Sequence, residues 1–416
     1  MNSRPAAASL DQWILQQIYQ ATGRPPIRLR TASGAEVAPA NSPPLGEIRI
    51  SDRVTLGRLI LDPEIAFGDA YSSGRLEVQG DLVSMLEALA MVMPPVEQQN
   101  TWARFVSRWM SWAQADTLTG ARRNIHQHYD LGNDFYRLWL DPQMIYSCAY
   151  FPSPDATLEA AQEAKMEHIC RKLRLRPGER VADIGSGWGT LALHMAARHG
   201  VHVSGFNISR EQIAAARQRA DKMGLSGRVE FIEADYRDIR GQFDAFVSVG
   251  MLEHVGRPYL KDMGRAIHRM LDTSGRGLLH FIGRNHREPM SPWIRKRIFP
   301  GTYLPTVREV LESLEPGDFS VLDVENLRPH YARTLEHWLE RFEESAGVVA
   351  GQFGPEFVRT WRLYLASAIA GFRTGRLQLF QVLFARGGWH DYPWTRAHLY
   401  EAGVHEEGRP SKPQPH

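Results

Sequence analysis

The sequence predicts an α/β protein built on a mostly parallel sheet with helices on both faces, preceded by a small N-terminal α+β domain. From residue 180 to residue 282, short apolar runs alternate with helical patterns, as in a doubly wound sheet. The first of these runs leads into the turn Gly185-Ser-Gly-Trp-Gly189 and then into a helix. A strand, a glycine turn and a helix in this order are typical of a unit that holds a nucleotide-like ligand.

Seven strands are expected in the main sheet. They are predicted over residues 180–184, 201–206, 229–233, 243–249, 277–282, 320–324 and 377–384. Ligands of such sheets bind outside the carboxyl ends of the strands. Gly187, Asp235, Glu253 and His280 fall at or near those ends, so we expect them to share one rim of the sheet.

The first part of the chain is expected to form a separate domain. Residues 1–112 are interpreted as a lipid-binding or docking domain, because no catalytic constellation occurs before residue 120. Helices are predicted over 11–20 and 81–93, and strands over 26–30, 47–50, 54–61 and 75–78. Residues 113–123 are interpreted as a linker, 124–390 as the catalytic domain and 391–416 as a C-terminal tail.

An aromatic helix is predicted over residues 98–112. Trp102, Phe105, Trp109 and Trp112 recur at spacings of three and four, which places them on one face. This face either packs on the main domain or rests on a membrane surface or an acyl chain.

Composition limits the function classes. The chain has 416 residues, 43% of them hydrophobic and 23% charged, and a net charge of +2, so nothing favours nucleic acid as a partner. Two cysteines, Cys148 and Cys170, cannot form a disulfide framework and indicate a reducing compartment. No apolar run approaches the ~18 residues that span a bilayer, and the start lacks a signal-peptide pattern. We expect a cytoplasmic protein.

The glycine turn indicates which nucleotide is bound. A dinucleotide fingerprint requires a sixth-position glycine and an acidic residue at the end of the second strand, but Thr190 and Asn207 stand there. The pattern from Asp183 to Gly189 is instead Asp-x-Gly-x-Gly-x-Gly, which is similar to the first motif of S-adenosylmethionine (AdoMet) methyltransferases. A plain tight turn is the alternative. Ser209 and Gln212 are predicted to form a capping box for the next helix.

No metal site is expected. His126 and His128 are close in sequence, but no cysteine or carboxylate spacing completes a ligand set around them.

Taken together, the motifs resemble the cyclopropane fatty acid synthase family, which includes the mycolic acid cyclopropane synthases. The resemblance is strong over residues 120–385. The motifs are His128-Tyr-Asp-Leu-Gly-Asn133, Tyr146-Ser-Cys-Ala-Tyr-Phe151, Asp183-Ile-Gly-Ser-Gly-Trp-Gly189, Glu253-His-Val-Gly256, His280-Phe-Ile-Gly283, Trp293 with Ile298-Phe-Pro-Gly-Thr-Tyr-Leu-Pro305, Tyr331-Ala-Arg-Thr-Leu335 and Gln378-Leu-Phe-Gln381. It implies a Rossmann-like AdoMet methyltransferase fold.

The resemblance also implies a reaction. A cis double bond of a phospholipid acyl chain attacks the methyl of AdoMet, and the resulting carbocation loses a proton and closes to a cyclopropane. In the family a bicarbonate ion is the base, and the matching cage residues here are Cys148, Glu253, His280, Ile282 and Tyr331. An anion held near a developing cation in a dry site is electrostatic stabilisation.

The positions that match AdoMet-binding residues form a second set. They are Tyr146, Ser147, Asp183, Gly185, Gly187, Gly189, Asn207, Gln212, Asp235 and Tyr236. Tyr146 and Ser147 would meet the methionine end of AdoMet, and Asp235 with Tyr236 would meet its adenosine end.

Structural alternatives stay open for several of these residues. Glu253 is otherwise a solvated loop acid, His280 a satisfied core histidine, and Tyr331 or Gln212 a helix cap. Cys148 is otherwise an inert apolar residue, and we do not expect it to be a nucleophile. The basic residues between Arg284 and Tyr303 either contact anionic lipid head groups or form a solvated face.

Three outcomes are consistent with the resemblance: cyclopropane formation, methyl or methylene branching of the acyl chain (or methylation of a small amine) with the same cofactor, and non-enzymatic lipid binding. Intact Glu253, His280 and Tyr331 disfavour the last. The implied partner is the acyl chain of a phospholipid at the inner face of the membrane, where the protein would associate peripherally. A homodimer is left open.

Overall fold

The computed structural model describes residues 4–93 and 131–400. The predicted aromatic helix, the predicted linker, and His126 with His128 lie outside these residues.

A four-stranded sheet forms the centre of the N-terminal part. Its strands are β1 (Arg28–Thr31), β2 (Glu36–Val37), β3 (Glu47–Ile50) and β4 (Leu76–Gln79), in the order β2-β1-β3-β4. β1 and β3 are parallel, and the two outer pairings are antiparallel. The helices are α1 (Arg4–Ala21), α2 (Arg53–Leu61), α3 (Pro63–Ser72) and α4 (Leu82–Val92). This combination confirms the predicted small α+β unit.

The strand predicted over residues 54–61 is wrong, because this segment is the helix α2. The Asp52 carboxylate caps it by accepting the Thr55 N–H at 2.7 Å. Its buried residues Thr55, Leu56 and Leu59 follow helical spacing. The β-branched residues of the same segment favour a strand, which led to the wrong prediction. The next helix, α3, was not predicted; it begins with Pro63 at its first turn and buries mainly small residues.

The main sheet has seven strands, as the sequence predicts. They are β5 (Arg180–Ile184), β6 (His202–Asn207), β7 (Val229–Glu233), β8 (Phe243–Val249), β9 (Leu271–Gly283), β10 (Ser320–Asn326) and β11 (Gln378–Ala385). Their order is β10-β11-β9-β8-β5-β6-β7. The five strands β5 to β9 are parallel, whereas β11 runs antiparallel to both β9 and β10. β9 is much longer than the expected 277–282.

Helices cover both faces of this sheet. They are α5 (Asn133–Arg137), α6 (Leu158–Leu173), α7 (Thr190–His199), α8 (Arg210–Lys222), α9 (Leu260–Met270), α10 (Pro292–Arg297), α11 (Val307–Leu314), α12 (Arg328–Glu344), α13 (Ala346–Phe353), α14 (Pro355–Arg373) and α15 (Ala397–Tyr400). α6, α7 and α8 share an apolar cluster with Val181 of β5. α9 and α11 share another cluster with Ala182 and Ile184, because successive side chains of a strand point to opposite faces.

The N-terminal part packs on the sheet domain mainly through α14. The Arg359 guanidinium donates to the carbonyl of Leu76 at 2.9 Å and also to the carbonyl of Tyr71. Near the end of α14, Arg373 pairs with Glu87 at 2.9 Å. A second contact places the indole of Trp293 against Gly68, so closely that no Cβ would fit there.

A membrane-spanning segment was sought among the helices of residues 4–93 and 131–400. None of them combines the length and the apolar character that crossing a bilayer requires.

Candidate active site

The glycine turn connects β5 to α7 at the carboxyl end of the central strand. Gly185, Gly187 and Gly189 all have positive φ, of 82°, 55° and 81°. The turn is fastened to the neighbouring strand, because the N–H groups of Gly185 and Ser186 both donate to the Phe206 carbonyl, at 2.8 and 3.1 Å. A positive φ at alternate positions explains why glycine is required three times.

The three glycines nevertheless face different surroundings. A Cβ on Gly185 would lie 2.8 Å from that of Met251, and a Cβ on Gly189 would lie 2.5 Å from the Phe231 ring. A Cβ on Gly187 would meet no atom of residues 4–93 and 131–400 within 4 Å. The missing Cβ atoms of Gly185 and Gly189 thus make room for protein side chains, and contact of these two glycines with AdoMet stays a prediction. Gly187 is the one that faces open space.

A polar network holds the Gly187 peptide in place. The Asn207 amide donates to the Gly187 carbonyl at 3.3 Å and to Oε1 of Gln212 at 2.8 Å. Gln212 accepts this bond instead of reaching back to the Ser209 N–H, which donates to Asn207 Oδ1. The predicted capping box is thus only half formed: Ser209 caps the N–H of Gln212, and the Gln212 side chain belongs to the network around the turn.

Lys165, which no sequence motif indicated, contacts Ser147, and its charge acts on Asp183 of β5. Its ammonium donates to Ser147 Oγ at 2.9 Å, although the residue is 98% buried on α6. Burial lowers the pKa of Lys165 to about 8. Asp183 is equally buried; desolvation raises the pKa of this carboxyl to about 7, against the attraction of Lys165, and its Oδ2 has no hydrogen-bond partner among the described residues.

Tyr146 lies among aromatic rings. Its hydroxyl and that of Tyr364 on α14 are 2.9 Å apart, and its ring is 5.3 Å from those of Trp139 and Trp338. The hydroxyl position is therefore fixed by a second tyrosine from a distant part of the chain.

The two residues predicted at the adenosine end follow β7. Asp235 accepts two hydrogen bonds of 2.7 Å from the Arg237 guanidinium. Tyr236 is buried beside it, which raises the pKa of its phenol to about 12. Its hydroxyl has no hydrogen-bond partner in the described part of the chain.

Glu253 is not a solvated loop acid. Only 4% of it is exposed, and its Oε1 accepts the backbone N–H of Ile282 at 2.7 Å. Desolvation raises the pKa of this carboxyl to about 7, despite that bond. Its Oε2 is buried, without a partner in residues 4–93 and 131–400. The Ile282 N–H is thus already engaged by Glu253.

His280 lies on β9, two residues before Ile282, so both side chains point to the same face of the sheet. Its Nδ1 accepts from the Gln381 amide at 3.1 Å, which puts the ring proton on Nε2. Burial holds the pKa of His280 well below its usual value, so the ring is neutral. Nε2 has no partner in the described structure, and the interpretation as a satisfied core histidine accounts for only one of its two nitrogens.

Cys148 and Tyr331 contribute to the apolar surroundings. They belong to one buried cluster, against which Ile282 and Tyr146 also pack. Burial raises the pKa of the Cys148 thiol, which stays protonated. Tyr331 lies in the first turn of α12 with its ring 4.6 Å from that of Phe372, and the cap position is held by Leu327.

The structure brings together Gly187 with Asn207 and Gln212, Lys165 with Ser147, and Glu253 with the backbone of Ile282, two residues from His280 on β9. The partners that sequence reasoning missed are Lys165, Tyr364 and Gln381. Lys165 left a signal, since it falls on the apolar stripe of α6 where a charge is unusual. Gln381 belongs to the motif Gln378-Leu-Phe-Gln381, but its contact with His280 had no signal in the sequence. Tyr364 acts across a long sequence separation and left none.

A family model described as mycolic acid cyclopropane synthetase matches residues 116–382. A Pseudomonas putida protein described as a probable fatty acid methyltransferase is 36% identical over 389 residues, which is 90% of this chain and 96% of that protein. The cyclopropane-fatty-acyl-phospholipid synthase of Escherichia coli K12 is 44% identical over 262 residues, 63% of this chain and 67% of the enzyme.

Solved structures agree with this. The cyclopropane synthase MmaA2 from Mycobacterium tuberculosis is 33% identical with a TM-score of 0.62, covering 65% of this chain and 100% of MmaA2. The mycolic acid cyclopropane synthase CmaA1, in complex with SAH and CTAB, is 32% identical with a TM-score of 0.61, covering 64% of this chain and 98% of CmaA1. The chain belongs to the mycolic acid cyclopropane synthetase family and is an AdoMet-dependent methyltransferase.

Proposed function

We propose that this enzyme transfers a methylene group from AdoMet to the cis double bond of an unsaturated phospholipid acyl chain, forming a cyclopropane with bicarbonate as the base. The observation that carries this proposal is the pair of unpartnered polar atoms, Glu253 Oε2 and His280 Nε2, in a buried, largely apolar surrounding. Glu253 binds the backbone of Ile282, two residues from His280, and a small anion between the two side chains would satisfy both atoms.

The residues around the glycine turn fit AdoMet. Gly187 presents open space where a Cβ would otherwise stand, and Asn207 and Gln212 keep its peptide fixed. The unpartnered Asp183 oxygen and Tyr236 hydroxyl are further polar atoms that a ligand can satisfy. AdoMet, when bound, supplies the one-carbon unit.

Glu253 and His280 are suited to hold bicarbonate in complementary ways. With a pKa of about 7, Glu253 readily carries a proton that Oε2 can donate to an anion. Neutral His280, with its proton on Nε2, donates without adding a full charge to a dry site. Gln381 then acts as a positioning residue, since it fixes the His280 tautomer.

The apolar residues give the cage its low dielectric. Cys148 is fully buried and Tyr331 nearly so, and both belong to the cluster of aromatic rings around Trp338. In such surroundings a carboxylate or bicarbonate charge interacts more strongly with a developing cation than in water. Exclusion of water also protects a cation from capture by hydroxide or water.

We propose that the N-terminal part faces the lipid at the inner side of the membrane. Leu10 and Trp13 on α1, and Val54 and Leu61 on α2, are all more than half exposed. Exposed apolar side chains on two helices that pack together are suited to insertion among head groups.

The basic segment 284–303 is weaker support for membrane contact than the exposed apolar residues of α1 and α2. Three of its cations are paired with carboxylates: Arg284 with Glu288, Arg287 with Glu309, and Arg297 with Asp69. Among the described residues, Arg295 and Lys296 have no carboxylate partner, and they alone are left for anionic lipid.

The test uses purified protein, AdoMet and vesicles of a phospholipid with one cis double bond. We expect the acyl chain to gain CH₂ as a ring, identified by its fragmentation in mass spectrometry. Activity should fall in rigorously bicarbonate-free buffer and return when bicarbonate is added, in wild type but not in Glu253→Ala. Full turnover without bicarbonate or a substitute anion would exclude the proposed base. Size-exclusion chromatography with light scattering on the same preparation decides whether the enzyme is a homodimer.

Methyl branching of the acyl chain is the second candidate. The Pseudomonas putida relative, which aligns over nearly its whole length, is described as a probable fatty acid methyltransferase. A ring and a branch differ only in which proton the cation loses, so the fragmentation pattern of the product distinguishes the two.

A further inference from the structure

A cluster of four potential metal ligands lies between α6 and α7. Glu167 and Cys170 are one turn apart on α6, and His194 and His199 come from α7. One ligand atom from each residue lies within 4.8 Å of the corresponding atoms of the other three. These residues are separate from those proposed to hold AdoMet and bicarbonate.

The distances within the cluster are near those of a coordination sphere. Oε2 of Glu167 is 3.0 Å from Nε2 of His199 and 3.5 Å from Nε2 of His194. Ligand atoms around a tetrahedral zinc ion are separated by about 3.3 Å, given bond lengths of about 2.0 Å. The four ligand atoms as a set lie within 4.8 Å of one another, so the side chains would have to draw closer to enclose an ion.

An unpartnered nitrogen points to a ligand independently of the spacing. The His194 side chain is 91% buried, and its Nε2 lies 3.5 Å from Glu167 Oε2 without a hydrogen bond to any of the described residues. A buried imidazole nitrogen without a partner is costly. A metal ion in the cluster would satisfy it.

We propose that Glu167, Cys170, His194 and His199 form a structural binding site for a divalent transition metal of the zinc class. One thiolate, two imidazoles and one carboxylate match the borderline-soft preference of Zn²⁺, and four protein ligands close a tetrahedral shell. The Cys170 thiol would lose its proton on binding. The guanidinium of Arg171 donates to Glu167 Oε1 at 3.1 Å and leaves Oε2 for the ion.

The site would tie together the two helices that flank the glycine turn. α7 begins directly after Gly189, and α6 carries Lys165 to Ser147, so both helices lead toward the AdoMet residues. About a third of the Glu167 side chain is exposed, which gives an ion a path from solvent. Without a metal, the same residues would form a hydrogen-bonded bridge from Glu167 to His199 beside a buried thiol.

The test measures metal binding directly. Untagged full-length protein is stripped with a chelator, dialysed against buffered Zn²⁺, and analysed for zinc per chain. We expect one ion per chain in wild type, and at least ~10²-fold weaker binding in Cys170→Ser and His199→Ala, since even outer partners of metal ligands contribute 10- to 100-fold. Cys148→Ser and the exposed His202→Ala are the matched controls and should keep one ion.

Replacement of zinc by Co²⁺ tests whether Cys170 supplies a thiolate ligand. Co²⁺ in place of zinc should give a thiolate charge-transfer band in wild type and Cys148→Ser that is absent in Cys170→Ser. If Cys170→Ser does not fold, Glu167→Gln and His199→Ala, at more exposed positions, provide the same comparison of affinity. Absence of stoichiometric zinc in wild type, or equal zinc binding in all variants, would overturn the proposal. AdoMet affinity, measured in parallel, tests the proposed function separately.

Discussion

Replacement of Glu253 by glutamine should stabilise the protein at alkaline pH while it removes activity. The carboxyl is 96% buried, and its pKa is raised from 4.5 to about 7 because burial disfavours the charged form. Glutamine has nearly the same shape and keeps an oxygen for the Ile282 N–H. It never ionises, so the variant escapes the cost of a buried charge.

The size and sign of this effect follow from linkage between folding and protonation. Well below pH 4.5 the carboxyl is protonated in both the folded and the unfolded state, so its ionisation does not lower the free energy of unfolding. Between pH 4.5 and about 7 the folded state binds more protons, so the stability of wild type falls as pH rises. The full loss is about 3 kcal/mol, most of which falls between pH 5 and pH 8.

The assay is urea denaturation at pH 5 and pH 8, without AdoMet or bicarbonate, because bound ligands would add their own stabilisation. The free energy of unfolding of Glu253→Gln, relative to that of wild type, should be about 2–3 kcal/mol higher at pH 8 than at pH 5. Glu230→Gln, at an exposed position on β7, is the matched control and should show no such change. Turnover of Glu253→Gln on vesicles should fall ~10²-fold or more. An equal stability difference at both pH values would show that this carboxyl is not desolvated in the folded protein.

Three further predictions concern the turn, the tautomer and the contact between the two parts of the chain. Gly187→Val should abolish AdoMet binding measured by calorimetry, because its side chain would fill the open space that the glycine faces; unchanged affinity in a folded variant would refute this. Gln381→Leu should leave AdoMet affinity intact but lower turnover about 10-fold or more, because the His280 tautomer is no longer fixed, and an unchanged rate would show that the contact is only structural. Gly68→Ala should lower the free energy of unfolding by about 1–3 kcal/mol, because its Cβ would collide with the Trp293 indole; a thermal melt identical to that of wild type would disprove that contact.

The Gly187 prediction has a control within the same turn. A Cβ on Gly189 would press on the Phe231 ring rather than enter the open space. Both replacements strain a backbone with positive φ and should lower the melting temperature, but only Gly187→Val should place its side chain in the space proposed for the ligand. A loss of affinity with normal stability in Gly189→Ala would mean that both glycines face the ligand.

The main sheet could be predicted from the sequence because most of its strands contain a short apolar run next to a glycine or a polar residue. Such runs are local signals, and the strands over 229–233 and 243–249 were predicted to the residue. The segment over residues 54–61 failed because its periodicity is weak and its capping residue, Asp52, stands outside the apolar run. A short, β-branched segment of this kind is ambiguous until its packing is known.

Residues of the candidate site could be predicted where they belong to a sequence motif. Contacts between residues that are distant in the sequence could not be predicted. Glu253 and His280 were identified by position, but neither the bond from Ile282 nor the Gln381 contact had a signal in the sequence. The four potential metal ligands were missed for the same reason, since spacings of three on one helix and five on the next match no motif.

The helix α14 limits which N-terminal parts can be combined with the sheet domain of this chain. One side of it carries Tyr364, which contacts Tyr146, and Arg359 on the same helix binds the carbonyls of the N-terminal part. MmaA2 aligns over 99% of its own length with only 65% of this chain, so about a third of this chain has no counterpart there. The guanidinium of Arg359 on α14 is positioned for backbone carbonyls of this chain's own N-terminal part. An N-terminal part taken from a relative would therefore not match it. We expect a chimera of two relatives to be functional when its α14 and its N-terminal part come from the same relative.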